Sequence, residues 1–441
     1  MEVDVIIVGA GPAGLFAAIQ CSTGKNKVVV LEKNPSPGKK LLITGGGQCN
    51  LTQAGRVKDL LGHYGENDRF IRNSLYGFSN DDLLDFFRKR DIDFITTDQG
   101  KVFPSSSKAG DILKALLDEC RHRKVIIKCS ESVEKIKYTN PDFSGVEQDV
   151  KHIEVVPSKI DHNEKTLENY RFISRTEKRE YVSRFLVLAT GGQSYKTTGS
   201  SGDGYHFAKS LGHNINKPRP ALTPLYIMNY QFADLSGISL QNTDISLWRN
   251  NKLVRRWSGD ILLTHKGLSG PGILNYSRYI KARDVIKLNL TGIKDRAVLE
   301  KDLINRIEAN GRLLFKNILR ELQLPIRLAD KLLDIAGISD KTKAAQITKD
   351  ERKSIINLLY ALPMTVERPG GFNEAMVTSG GISLKEISPR TMESRIIPNL
   401  FVVGEVLSID GDTGGYNLQA AFSTGYMAGQ TISGRIVKSD R

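Results

Sequence analysis

The run Val3-Asp4-Val5-Ile6-Ile7-Val8-Gly9-Ala10-Gly11-Pro12-Ala13-Gly14 decides the fold. Its first six residues are mostly β-branched and apolar, as expected of a central parallel strand buried on both faces. The segment GxGxxG then opens into Leu15-Phe16-Ala17-Ala18-Ile19-Gln20, which reads as a helix. Strand, glycine turn and helix together are the context that a dinucleotide fingerprint requires. Gly9 makes the tight turn, Gly11 lets the backbone approach a pyrophosphate, and Gly14 lets helix and strand pack closely. Pro12, followed by Ala13, fits the first helical turn, where a missing N–H costs nothing. The helix start offers free N–H groups and partial positive charge to phosphates. A second strand, Lys27-Val28-Val29-Val30-Leu31, ends at Glu32, 21 residues after Gly11. A carboxylate there accepts hydrogen bonds from both ribose hydroxyls of an adenosine. It repels a 2′-phosphate, which argues against NADP at this site, but it does not separate NAD from FAD.

The far end of the chain repeats the logic. Asn399-Leu400-Phe401-Val402-Val403-Gly404-Glu405 reads as a short buried strand ending at an acid. It is followed by a turn containing Asp410, Gly411, Asp412, Gly414, Gly415, Tyr416 and Asn417, then by Leu418, Ala421, Phe422 and Met427 at helical spacing. In FAD enzymes an acid at such a strand end binds the ribityl chain or the phosphates, and the helix after it points its N-terminus at the flavin N1–C2=O edge. That helix terminus supplies up to about 2 kcal/mol toward the reduced flavin, or roughly 40 mV for a two-electron couple. It tunes the flavin without creating the chemistry. Between the two ends, Tyr181 to Leu188 is an apolar strand running into Ala189-Thr190-Gly191-Gly192, where such enzymes leave the cofactor domain.

Composition narrows the class. The chain has 441 residues, 40% hydrophobic and 25% charged, which is ordinary globular usage with length for two or three domains. No apolar run approaches the ~18 residues of a membrane span. Apolar sequence begins by Val3, leaving no room for a signal peptide, so a cytoplasmic location is expected. Cys21, Cys49, Cys120 and Cys129 form neither CxxC nor CxxxxC, which argues against a disulfide framework and against dithiol relay chemistry. Net charge is +14. Without a block of consecutive lysines or arginines, this reads as a solvated surface offsetting an anionic cofactor.

Several further segments join these: Thr44-Gly45-Gly46-Gly47-Gln48-Cys49-Asn50-Leu51-Thr52, Ala189 to Tyr195, Gly199 to Tyr205, Leu263 to Pro271, Val377 to Ile382, Thr391 to Ser394 and Gly404 to Gly425. On them the chain resembles, over nearly its whole length, the YhiN/BaiN-like flavoproteins, described as NAD(P)/FAD-dependent or aminoacetone-oxidase-like oxidoreductases. The resemblance implies FAD and an α/β fold. A glutathione-reductase-like FAD-binding Rossmann domain would be formed by both chain ends, with an inserted β-barrel-like domain plus a helical subdomain. It also implies a cofactor site on Gly9, Gly11, Pro12, Ala13, Gly14, Glu32, Lys33, Lys40, Thr44, Gly45, Gly46, Asn50, Val133, Thr190, Gly191, Gly404, Glu405, Asp412, Gly415, Tyr416 and Asn417. Gln48 stands where the family usually has Arg, and Lys196 where it usually has Pro. The glycines of Thr44–Asn50 suit an anion-binding nest, and Cys49 reads as a small buried residue.

Expected boundaries are 1–194 and 374–441 for the cofactor domain, 195–294 and 361–373 for the β-domain, and 295–360 for the helices. The polar stretch Tyr138 to Arg171 reads as an expanded surface β-hairpin. No acid–base pair stands out. His265, Tyr195 and Tyr416 are the catalytic candidates, His265 because an imidazole moves protons near neutral pH. No zinc spacing, GxSxG elbow or Walker A is present. A second GxGxxG is also missing, so either NAD(P)H docks transiently as reductant or a small-molecule substrate reduces the flavin directly. The expectation is therefore an FAD-dependent oxidoreductase passing hydride through flavin N5, with the substrate between flavin and β-insert, in a monomer or homodimer. The alternatives are an FAD protein whose basic insert binds nucleic acid, although no aromatic-stacking motif accompanies its lysines, and a flavin-free NAD-dependent dehydrogenase.

Overall fold

The computed structural model describes residues 1–139 and 170–439. The body of the predicted hairpin, 140–169, lies outside them. Its two arms, Val133–Thr139 and Arg171–Thr176, are paired antiparallel. By its internal packing the chain divides into two compact units, Met1–Pro220 with Met376–Arg441, and Ala221–Ala375.

The first unit is built on a seven-stranded sheet. Strand β1 (Glu2–Val8) lies at its centre, parallel to β2 (Val28–Leu31) on one side and to Glu180–Leu188 on the other. Ile126–Lys128 extends the β2 side, and Leu400–Val402 pairs parallel with Glu180–Leu188. Continuous apolar runs are what a sheet covered on both faces needs. Val5, Ile6, Ile7, Val29 and Val30 are accordingly fully buried. Helix α1 (Pro12–Cys21) follows β1, and the C-terminal helix, Tyr416–Ser439, packs against it. Small residues permit that approach. A Cβ on Gly425 would stand 2.6 Å from the Ala13 carbonyl oxygen, and one on Gly429 2.4 Å from the Cβ of Gln20. The first turn of the chain and its last helix thus meet.

Residues 195–220, expected in the insert, belong to this first unit. Helix Asp203–Ser210 carries Tyr205, Phe207 and Ala208 into its core. Gly204 lets the helix sit directly on Thr190, whose Oγ1 would be 2.0 Å from a Cβ at that position. The boundary reading took the end of the AlaThrGlyGly strand as the end of the domain, and the packing continues beyond it.

The second unit contains a closed six-stranded antiparallel barrel. Its strands are Leu225–Ile227, Gly267–Ser269, Lys252–Leu263, Ser239–Arg249, Val285–Asn289 and Leu362–Pro369, the last pairing back to the first. Alternation places Ile245, Leu247, Ile286, Leu288, Leu362, Met364 and Val366 in its interior. Closure removes the exposed edges that an open sheet would offer. Helices Arg296–Ala309, Phe315–Arg320, Ile326–Ile335 and Lys349–Ala361 share one core with the barrel through Leu299, Leu303, Phe315, Leu332 and Ile356. Barrel and helices are one unit, not two subdomains.

Candidate functional site

Both ends of the chain line one cleft in the first unit. Its walls include Gly9, Gly11, Pro12, Ala13, Glu32, Lys33, Lys40, Thr44, Val133, Thr190, Gly191, Gly404, Glu405 and Asn417. About 1370 Å³ of space, open solvent included, lies between these walls.

At the fingerprint the three glycines do different work. Gly9 has φ +108, and its missing Cβ would lie 2.5 Å from the Ala189 carbonyl oxygen, so turn and strand end are in contact. A Cβ on Gly14 would stand 2.0 Å from the Gly9 oxygen. Around Gly11 nothing lies within 4 Å of that position. The one glycine assigned to close ligand approach is therefore the one facing open space. Glu32 is buried, and its carboxylate is already oriented. Oε2 accepts from the Ala10 N–H at 2.9 Å, and Oε1 accepts from the Asn34 N–H at 2.8 Å and Nδ2 at 2.7 Å. Each oxygen keeps acceptor capacity.

The opposite wall is a small ionic network. Lys40 Nζ reaches Glu405 Oε2 at 2.6 Å and Ser194 Oγ at 2.7 Å. Glu405 Oε1 accepts from the Thr378 N–H at 2.9 Å and from Ser194 Oγ at 3.0 Å. Thr378 Oγ1 in turn receives the Gln193 and Ser194 N–H groups. Gly404 has φ +74, and its N–H donates to Thr424 Oγ1 in the C-terminal helix at 3.0 Å. Lys33 is similarly tied, to Asp203 at 2.6 Å.

The Thr44–Asn50 loop has three left-handed glycines in a row, with φ of 57, 67 and 91 at Gly45, Gly46 and Gly47. Such a run turns successive N–H groups toward one side. Asn50 Oδ1 is buried without a hydrogen-bond partner, an acceptor of the kind a flavin N–H would satisfy. Cys49, with φ +62, is fully buried, and burial pushes its thiol up to about 12, Thr44 opposing weakly. It is packing, not a reactive thiol. Gln48 and Lys196 are both exposed.

Asn417 holds the second glycine turn closed. Its Oδ1 accepts from the Gly411 N–H at 2.8 Å and its Nδ2 donates to the Gly411 oxygen at 2.9 Å. Gly415 passes against Thr52, whose backbone carbon would be 2.6 Å from a Cβ there. Gly14, Gly45, Gly46, Asn50, Asp412, Gly415 and Tyr416 stand behind or beside the cleft walls, outside the lining. Tyr416 is buried, its hydroxyl pushed up to about 12 by burial and then by Asp412. Tyr195 is half-buried with φ +53, and His265 is exposed on a turn of the second unit. The hydroxyls of Ser194, Thr378 and Thr424 were not singled out from sequence. All three lie inside the segments that carry the family resemblance, which was the available signal.

Comparison with known proteins gives the family. Residues 3–156 and 147–431 match the family described as HI0933-like protein Rossmann domain. The chain belongs to the HI0933-like family. A 3-dehydro-bile acid delta(4,6)-reductase from Clostridium scindens is 28% identical to this HI0933-like chain over 437 residues, 97% of the chain and 98% of the relative. A ribosomal RNA dihydrouridine synthase from Escherichia coli is 29% identical over 429 residues, 97% and 98% respectively. Among solved structures, 3-ketosteroid-delta4-(5alpha)-dehydrogenase from Rhodococcus jostii RHA1 aligns at TM-score 0.49 and 14% identity, covering 98% of this HI0933-like chain and 97% of that one. Among the described residues, no helix is long and apolar enough to cross a membrane.

Proposed function

We propose that the protein is an FAD-dependent oxidoreductase that adds hydride to a carbon–carbon double bond conjugated with a carbonyl. The observation that carries the FAD reading is the convergence of Gly11, Glu32, Lys40, Glu405 and Asn417 on one cleft. Bound there, FAD supplies a two-electron hydride carrier at N5. The remaining work falls to the chain. Gly9–Gly14 and the start of α1 would receive the pyrophosphate, and Glu32 would receive the ribose. Lys40 and Glu405 would hold the ribityl chain, and the start of the C-terminal helix would meet the flavin edge. The open space at Gly11 supports the fit. The reaction class rests on the relatives. Saturating a 3-oxo-4,6-diene and making dihydrouridine from uridine are both additions of hydride and a proton to an alkene polarised by a carbonyl.

The test is an anaerobic titration of the purified yellow protein with NADH and with NADPH. Bleaching at stoichiometric nicotinamide, reversed by an enone, is the expected result. Persistence of the yellow colour with both would make the organic molecule the electron donor and would sink the reductase direction.

One observation favours RNA as the substrate class. The Escherichia coli relative is a ribosomal RNA dihydrouridine synthase, and residues 221–375 of this chain carry 24 Lys and Arg against 16 Asp and Glu. Retention of a ribosomal RNA transcript that weakens steeply with salt supports it. Equal retention at low and high salt, or none, contradicts it.

A further inference from the structure

We propose that His63 is the proton donor of this reaction, with Asp412 as its positioning residue; the assignment rests on the alkene-reductase reading above. His63 follows the short helix Val57–Leu61 and is tied to the 411–417 turn from several directions. Its Nδ1 lies 3.1 Å from Asp412 Oδ2, and its carbonyl accepts the Asp412 N–H at 2.9 Å. Its ring stacks on Tyr416 at 4.2 Å and 16°. The neighbouring Tyr64 hydroxyl donates to the Tyr416 carbonyl at 2.8 Å. The next residue, Asn417, lines the cleft. The imidazole is thus fixed to the turn assigned to the flavin edge, yet its side chain remains 42% exposed.

A carboxylate on Nδ1–H selects one tautomer and leaves Nε2 for proton exchange, the logic of acid–base dyads generally. No partner for Nε2 occurs among the described residues. Other ionisable groups near the ring are Asp68, which feels the His63 charge, and Arg72 beside it. The phenols of Tyr64 and Tyr416 are both pushed upward by burial and stay neutral. The contrast with His213 is informative. That ring is buried, with Nδ1 against Glu386 at 3.1 Å and Nε2 against Ser394 at 3.0 Å, so neither nitrogen is available. FAD bound in the cleft would supply the hydride and both electrons for a new C–H bond at the carbon β to the carbonyl. As the alkene π bond breaks, protonated His63 delivers its Nε2 proton to the α carbon, so the product gains one hydride and one proton. Solvent reprotonates the half-exposed imidazole.

The test uses holoenzyme reduced anaerobically with dithionite, then mixed with a 3-oxo-Δ4 steroid or a ribosomal RNA transcript. His63→Gln is expected to bind FAD with an unchanged visible spectrum and to reoxidise ~10²–10⁴-fold more slowly, the usual range for a lost general acid. Asp412→Asn should lose less. An independent readout is the ¹⁵N spectrum of His63 in oxidised holoenzyme. It should report Nδ1–H as the single neutral tautomer in the wild type and a mixture in Asp412→Asn. Wild-type reoxidation rates in His63→Gln would overturn the role of His63 alone. If wild-type holoenzyme is reoxidised by neither probe, the alkene reading falls and this role falls with it.

Discussion

Gly11 and Gly14 stand three residues apart and place opposite demands on substitution. Gly11 has φ −82 with open space where a Cβ would go, so Gly11→Ala should leave apoprotein stability within ~0.5 kcal/mol while expelling the cofactor. Gly14→Ala drives a methyl into the Gly9 carbonyl and should cost about 1–3 kcal/mol. Urea unfolding and acid-released FAD, measured on both variants, separate the two effects. Equal loss of stability in both would mean that Gly11 is structural. His213 makes a pH prediction. Burial holds it below the ordinary imidazole value, with Glu386 pulling the other way. The unfolded chain therefore binds more protons between the folded value and the unfolded one near ~6.5, and stability rises with pH across that window. Thermal midpoints should fall as pH drops from neutral through that value, more in the wild type than in His213→Gln. Parallel curves would contradict the assignment. The fingerprint glycines and Glu32 were legible because their jobs are local. His63 was not, since its partner Asp412 lies almost the whole chain away and neither sits in a motif with that spacing.

At the scale of elements, the contact that joins the ends of the chain is α1 against the C-terminal helix. Each helix was legible from periodicity, but the seam was not. All of α1 except Pro12 and Gln20 is buried, so no polar stripe marks which side meets which neighbour. The seam is written in Gly425 and Gly429, which let the C-terminal helix close on Ala13, Ala17 and Gln20. Gly429→Leu should destabilise the first unit by about 1–3 kcal/mol and weaken FAD retention, although residue 429 lines no part of the cleft. A lowered urea midpoint with depleted flavin checks this, and a wild-type midpoint refutes the seam. A β-barrel-like insert was what the family resemblance implied, without its strand pairing. Closure depends on Leu362–Pro369 returning to Leu225–Ile227 across the intervening helices, a pairing no local pattern announces.

At the scale of the whole molecule, two ends separated by an insert were readable because each end carries its own strand, acid and glycine turn. The limits of the insert were harder to read. A strand ending in AlaThrGlyGly looks like an exit, yet Asp203–Ser210 still adds Tyr205, Phe207 and Ala208 to the first core. The insert's helices, 295–360, were expected as a subdomain of their own. They nevertheless fill the core that the barrel leaves open, and neither part buries its apolar face alone.

One FAD held jointly by both ends of the chain is what the cleft is proposed to bind. The most direct test is to purify the protein, release its cofactor with acid, and count flavin per chain in the wild type, Gly11→Asp and Gly429→Leu. One FAD per wild-type chain is expected, none in Gly11→Asp, and substoichiometric flavin in Gly429→Leu. A colourless wild-type protein that binds NADH tightly, or full flavin in Gly11→Asp, would contradict it.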